Sequence, residues 1–110
     1  MVELKLGERD FCLATNLRVA YNVQGQHNHK SYMEIFKGVD SMKLEDQIGI
    51  LYEAAKVGTP DFNLKRNEFL ELYLDNADSN ITNLMSILKQ IFEGVLGKKI
   101  EEPQEETLGE

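Results

Sequence analysis

The 110 residues fit one domain, and an apolar fraction of 42% with 8% aromatics describes a chain that folds rather than one that stays disordered. Area scaling gives roughly 6,000 Å² of folded surface against about 18,000 Å² unfolded, so about two-thirds of the surface can be buried around one core. Nineteen acidic residues against twelve basic ones leave a formal charge of −7, a sign that opposes binding to nucleic-acid phosphates or to an anionic membrane.

At the N-terminus, Val2, Leu4 and Leu6 alternate with Glu3 and Lys5, the period of a half-buried strand. Gly7 to Asp10 supply turn chemistry, and Phe11 and Leu13 resume the alternation, so a short β-hairpin is expected. A lone hairpin is marginal in water, and its apolar face must pack on helices. Residues 1–7 alternate charge and lack the apolar stretch of a secretion signal. Cys12 is the only cysteine, so no internal disulfide can form. Placed between Phe11 and Leu13, Cys12 reads as a small strand residue, because a thiol nucleophile needs a base and an electropositive, exposed setting.

Thr15 or Asn16 can cap a helix running to about Gln24, with Leu17, Ala20 and Tyr21 on one face. Residues 25–30 are polar throughout and read as a loop carrying the only two histidines, His27 and His29. A zinc site needs at least a third protein ligand, and no cysteine lies nearby, so a solvated loop is the simpler reading. Ser31 opens a second helix with Glu34 three residues on, the spacing of a capping box, and its stripe is Tyr32, Ile35, Phe36 and Val39.

Leu44, Ile48, Leu51 and Ala55 make the next stripe, widened by Tyr52 and stopped by Gly58 and Pro60. Gly49 inside it costs about 1 kcal/mol relative to alanine, which a close helix–helix contact would justify. Glu45 and Asp46 diverge by ~100° around the helix and suit its N-terminal dipole better than a shared acid–base site. Asn63 can cap a further helix with Phe69, Leu70, Leu72 and Tyr73, ending near Asp75-Asn76. Asp78 or Ser79 then caps the clearest helix, in which Ile81, Leu84, Met85, Leu88, Ile91, Phe92 and Val95 share one face and Gly97 takes the C′ position. Two readings of that long stripe stand: core throughout, or core with an end that pairs with another helix. Tyr32, Tyr52 and Tyr73 likewise suit core edges or an interface.

Beyond Gly97, Ile100 and Leu108 are the only large apolar residues among many glutamates, so residues 98–110 are expected to form a disordered acidic tail. The expected architecture is mainly α (α+β): a 1–97 domain with an N-terminal hairpin on about five helices, then the tail. No apolar run approaches the ~20 residues that span a bilayer. Glycine-rich phosphate loops, Gly-x-Ser-x-Gly and His-Glu-x-x-His are absent, so neither a catalytic site, a metal nor a cofactor is expected, and the protein reads as a binder of other proteins rather than an enzyme.

The order of elements carries a resemblance. A strand pair precedes the runs 16–24 (Asn-Leu-Arg-Val-Ala-Tyr-Asn-Val-Gln), 31–40 (Ser-Tyr-Met-Glu-Ile-Phe-Lys-Gly-Val-Asp) and 44–52 (Leu-Glu-Asp-Gln-Ile-Gly-Ile-Leu-Tyr). The segment 67–73 (Asn-Glu-Phe-Leu-Glu-Leu-Tyr) then leads into the last helix. Over residues 1–97 the chain resembles a tail assembly chaperone of long-tailed (siphovirus-like) phages and prophages of Gram-positive bacteria. The resemblance implies a protein of the infected host's cytoplasm, absent from the finished virion, that binds the helical tape measure protein, keeps it soluble and presents it to the tail tube protein. It also implies a longer frameshifted product diverging near Lys98-Lys99, which the codons there would decide. Self-association along one client fits a domain that offers about 800 Å² per contact. Two other readings compete: an acidic regulator that covers a host protein's nucleic-acid-binding surface, and a structural head–tail joining component.

Overall fold

A computed structural model describes residues 2–28, 30–76 and 81–97. The chain opens with the expected hairpin, β1 (Val2–Leu6) antiparallel to β2 (Arg9–Leu13), in the register Leu4↔Phe11 and Leu6↔Arg9. Gly7 makes the turn at φ +65 while Glu8 stays out of the left-handed region, the pattern of a type II′ turn that matches strand twist. Leu4, Leu6, Phe11 and Leu13 share one face and are buried, whereas Glu3, Lys5 and Asp10 face water.

Five α-helices follow among the described residues: α1 (Leu17–Gln26), α2 (Tyr32–Lys37), α3 (Leu44–Gly58), α4 (Arg66–Asn76) and α5 (Ile81–Leu96). Side-chain caps set the starts of α1 and α2. Asn16 Oδ1 accepts from the Val19 N–H (3.4 Å), and Ser31 Oγ accepts from the N–H groups of Met33 and Glu34 (3.1 and 3.4 Å). The Tyr32 N–H donates to Gln24 Oε1 at 3.1 Å, which ties α2 back to α1 across the short connection. A 3₁₀ turn, Val39–Ser41, replaces the last turn of α2, and the buried Gln47 amide donates to its Val39 carbonyl (2.7 Å).

The turn is shorter than read, since Arg9 and Asp10 already belong to β2, and Leu44 of the α3 stripe is exposed; three further expectations change. Residues 25 and 26, read as loop, are the last turn of α1. Asn63 does not cap α4; the helix starts at Arg66, where the Lys65 carbonyl accepts from Phe69 and the Glu68 carboxylate accepts the Lys65 N–H at 2.8 Å. That backward bond from the third helical residue is half of a capping box, enough to fix the start without a side-chain cap at Asn63. The third change concerns the face of α1: Val19, Ala20 and Val23 are buried, while Leu17 and Tyr21 point outward. Apolar residues lie on most sides of this short helix, and packing against α2, α3 and α5 selects the valine side. The expected cap at Asp78 or Ser79 and the acidic segment 98–110 lie outside the described residues.

The core has two aromatic centres. Phe11, Tyr52, Phe62 and Phe69 meet edge-on or tilted at centroid distances of 5.4–6.3 Å and join the hairpin, α3 and α4. Phe36 stacks on Phe92 at 3.8 Å, joining α2 to α5. From Leu84 onward the stripe of α5 is core: Leu84, Leu88, Ile91, Phe92 and Val95 are buried and Met85 is half-buried, the Ile81 side chain lying outside the description, and Gly97 stands at φ +75 just past the helix end. Tyr52 and Tyr73 are buried, with the Tyr52 hydroxyl donating to the Leu64 carbonyl (3.1 Å), and Tyr32 packs edge-on against Phe36. These tyrosines belong to the core and its rim.

α3 is the axis of the molecule. It packs on β2, α1, α4 and α5, so nine consecutive residues from Gln47 to Ala55 are buried, polar ones included. Gly49 leaves room there for a side-chain tip and not for a backbone contact. A Cβ would stand 2.3 Å from the Arg66 guanidinium, which lies across the helix. Among the described residues no helix is long and apolar enough to cross a membrane.

Candidate functional site

Where the sequence suggested chemistry, the structure places ordinary surface and strand residues. Cys12 is half-buried in β2, with its backbone N–H and C=O both bonded to the Thr59 hydroxyl. His27 lines a shallow cleft with Lys30, Glu34, Ile35, Gly38 and Met42, and His29 lies outside the described residues. No three His, Cys, Asp or Glu side chains gather as a metal site among the described residues. Glu45 and Asp46 occupy the first turn of α3, where they complement the helix dipole. Asp46 lies 4.0 Å from Arg66, whose other nitrogen donates to Gln26 Oε1 (3.4 Å).

The distinctive region lies between α1 and α3. Leu17 is 65% and Tyr21 67% exposed, the two most open large apolar side chains among the described residues. They stand one turn apart on α1, and Gly25 continues the same row a turn further on. A Cβ at Gly25 would meet nothing within 4 Å, so the ridge made by Leu17 and Tyr21 drops into a notch. The notch opens on a cleft of about 230 Å³ walled by Tyr21, Asn22 and Gly25 from α1 and by Glu53 and Lys56 from α3.

Glu53 gives this cleft its character. Its side chain is only 2% exposed, and Oε1 is buried and accepts no hydrogen bond. Among the described residues its ion-pair partner is Lys56, one turn on, whose ammonium stands 3.3 Å from that Oε1; the lysine side chain is 45% exposed and also rests over the Tyr52 ring at 5.1 Å. A carboxylate withdrawn from water normally collects several donors, because losing hydration without replacement is costly. Arg18 stands over the outward ring of Tyr21 at 5.7 Å and borders the apolar row.

Sequence reasoning missed this region because Leu17 and Tyr21 read equally well as an inward stripe. A signal for Glu53 was available: it is the only charged residue in the eight-residue run 48–55, and a helix apolar on nearly all sides buries whatever charge it carries. No protein-family model, curated protein or solved structure matches the chain.

Proposed function

We propose that this protein is an assembly chaperone that works by binding and not by catalysis: a phage tail assembly chaperone that holds the helical tape measure protein soluble for the tail tube protein. The observation that carries the reading is the outward row of α1. Leu17 and Tyr21 are large, apolar and mostly exposed, and they sit side by side next to a concave cleft. Single exposed apolar residues are common on monomers and mean little. A paired ridge beside a notch matches the way an amphipathic helix lays its apolar face on a partner. The stripe of α5 from Leu84 to Val95 is not available for this, since the core consumes it.

The charge supports the same function from another side. A holdase must keep its client dissolved, and −7 on a chain of this size opposes self-precipitation while the apolar row is covered. The row is small, so one contact is weak. Many copies along one long client would act together by multivalency, in the host cytoplasm and without remaining in the finished virion. The test is co-expression with a long helical tape measure fragment. The fragment stays in the soluble fraction with this protein and precipitates without it; equal precipitation in both cases overturns the proposal.

A further inference from the structure

The geometry points to a basic residue in the client: we infer that the α1–α3 cleft accepts a lysine or arginine side chain of the docked helix, its charged end meeting the Glu53 carboxylate. This rests on the docking reading above and says what the client must carry.

Three observations converge on it. Glu53 lines the cleft with its side chain only 2% exposed, and its Oε1 faces the Lys56 ammonium at 3.3 Å without a hydrogen bond, so the carboxylate gains from a second, better aimed charged donor. Its present counter-ion stands at the surface: the Lys56 side chain is 45% exposed, so water screens the pair and the carboxylate can take a second cation. The entrance lies in line with the apolar row. Leu17, Tyr21 and Gly25 are spaced i, i+4 and i+8, about 6 Å of helix rise per step. A client helix lying along α1 with the same spacing sets two apolar side chains on Leu17 and Tyr21. Its third side chain then falls at the notch beside Gly25. An acidic or plain apolar side chain there would leave Glu53 repelled or without a donor, whereas a long basic one spans the cleft and ends on it. The net charge of −7 favours the same sign of partner.

The test uses the full chain and two dye-labelled ~20-residue amphipathic helical peptides that differ at one site. Both carry leucine at i and i+4; one carries lysine at i+8 and the other norleucine. Fluorescence anisotropy at 0.15 M salt reads the affinities, and circular dichroism checks each variant's fold. The lysine peptide binds at least about tenfold more tightly to the natural protein, as a charge-assisted hydrogen bond predicts. Glu53→Gln abolishes that gap. Glu45→Gln removes an equal charge from the exposed start of α3 and leaves the gap intact, which separates the cleft from general attraction. Gly25→Leu fills the notch without a clash, closes the gap and serves as the test should Glu53→Gln fail to fold. Equal binding of both peptides by the natural protein, or a gap that survives in the folded Glu53→Gln or Gly25→Leu protein, overturns the inference alone. Failure of both peptides to bind overturns it together with the docking reading.

Discussion

The Thr59 hydroxyl reaches both backbone groups of Cys12: its oxygen accepts the Cys12 N–H at 3.0 Å and its hydrogen is donated to the Cys12 carbonyl at 3.1 Å. One side chain thus seals the outer edge of β2, where a two-stranded sheet would otherwise present unpaired groups. Two residues further along the strand's exit, the Ala14 N–H donates to the Ala54 carbonyl of α3 at 3.0 Å. The hairpin is therefore bolted to the end of α3 by hydrogen bonds as well as by its apolar face.

Thr59→Val keeps the shape and removes both bonds. We expect a loss of about 1–3 kcal/mol, since the two half-buried backbone groups lose their partner, and a smaller loss for Thr59→Ser. Urea unfolding midpoints measure it. A Thr59→Val protein as stable as the natural one would show that solvent satisfies this edge.

Gly58 and Gly49 separate two kinds of close approach on one helix. A Cβ at Gly58 would stand 2.4 Å from the Cys12 carbonyl oxygen and 2.7 Å from the Ala14 nitrogen, both backbone atoms that cannot step aside. Gly58→Ala should cost about 1–3 kcal/mol through overpacking. At Gly49 the obstacle is the tip of Arg66, whose contacts at 3.4 and 4.0 Å are weak and whose side chain can swing away. The helix gains about 1 kcal/mol from alanine there, so Gly49→Ala should stay within about 1 kcal/mol of the natural protein. Thermal melts of the two variants rank them; the reverse order would contradict the packing described.

Phe69 lies at the meeting of the hairpin, α3 and α4, fully buried, with its ring 5.4 Å from that of Phe11 and 5.8 Å from that of Tyr52. Phe69→Ala should cost about 3–5 kcal/mol and lower the unfolding midpoint in denaturant accordingly. Phe69→Leu should cost markedly less because most of the volume is kept.

How far the sequence could be read depends on whether a residue's environment is local. The hairpin, the stripes of α2 and α5 and the turn-forming Gly7 follow from spacing along the chain, and they stand where the spacing puts them. Leu17 and Tyr21 do not, because α1 offers two overlapping apolar stripes and only the neighbouring helices decide which one turns inward. Asn63 fails as a cap because Glu68 fixes the start of α4 from inside the helix. Glu53 looks like a solvated residue until α3 is known to be wrapped on several sides. The candidate site is made of these non-local facts.

Leu17 and Tyr21 carry little of the fold, so their removal isolates binding. Leu17→Ser with Tyr21→Ser should change stability by no more than about 0.5 kcal/mol per site. The decisive measurement is the dissociation constant for a tape measure fragment, by anisotropy or calorimetry, in the natural protein and in this double variant. The account predicts binding by the natural protein and at least about tenfold weaker binding by the variant, with melting curves that superimpose. Equal affinities for the fragment, or no binding by the natural protein, would contradict it.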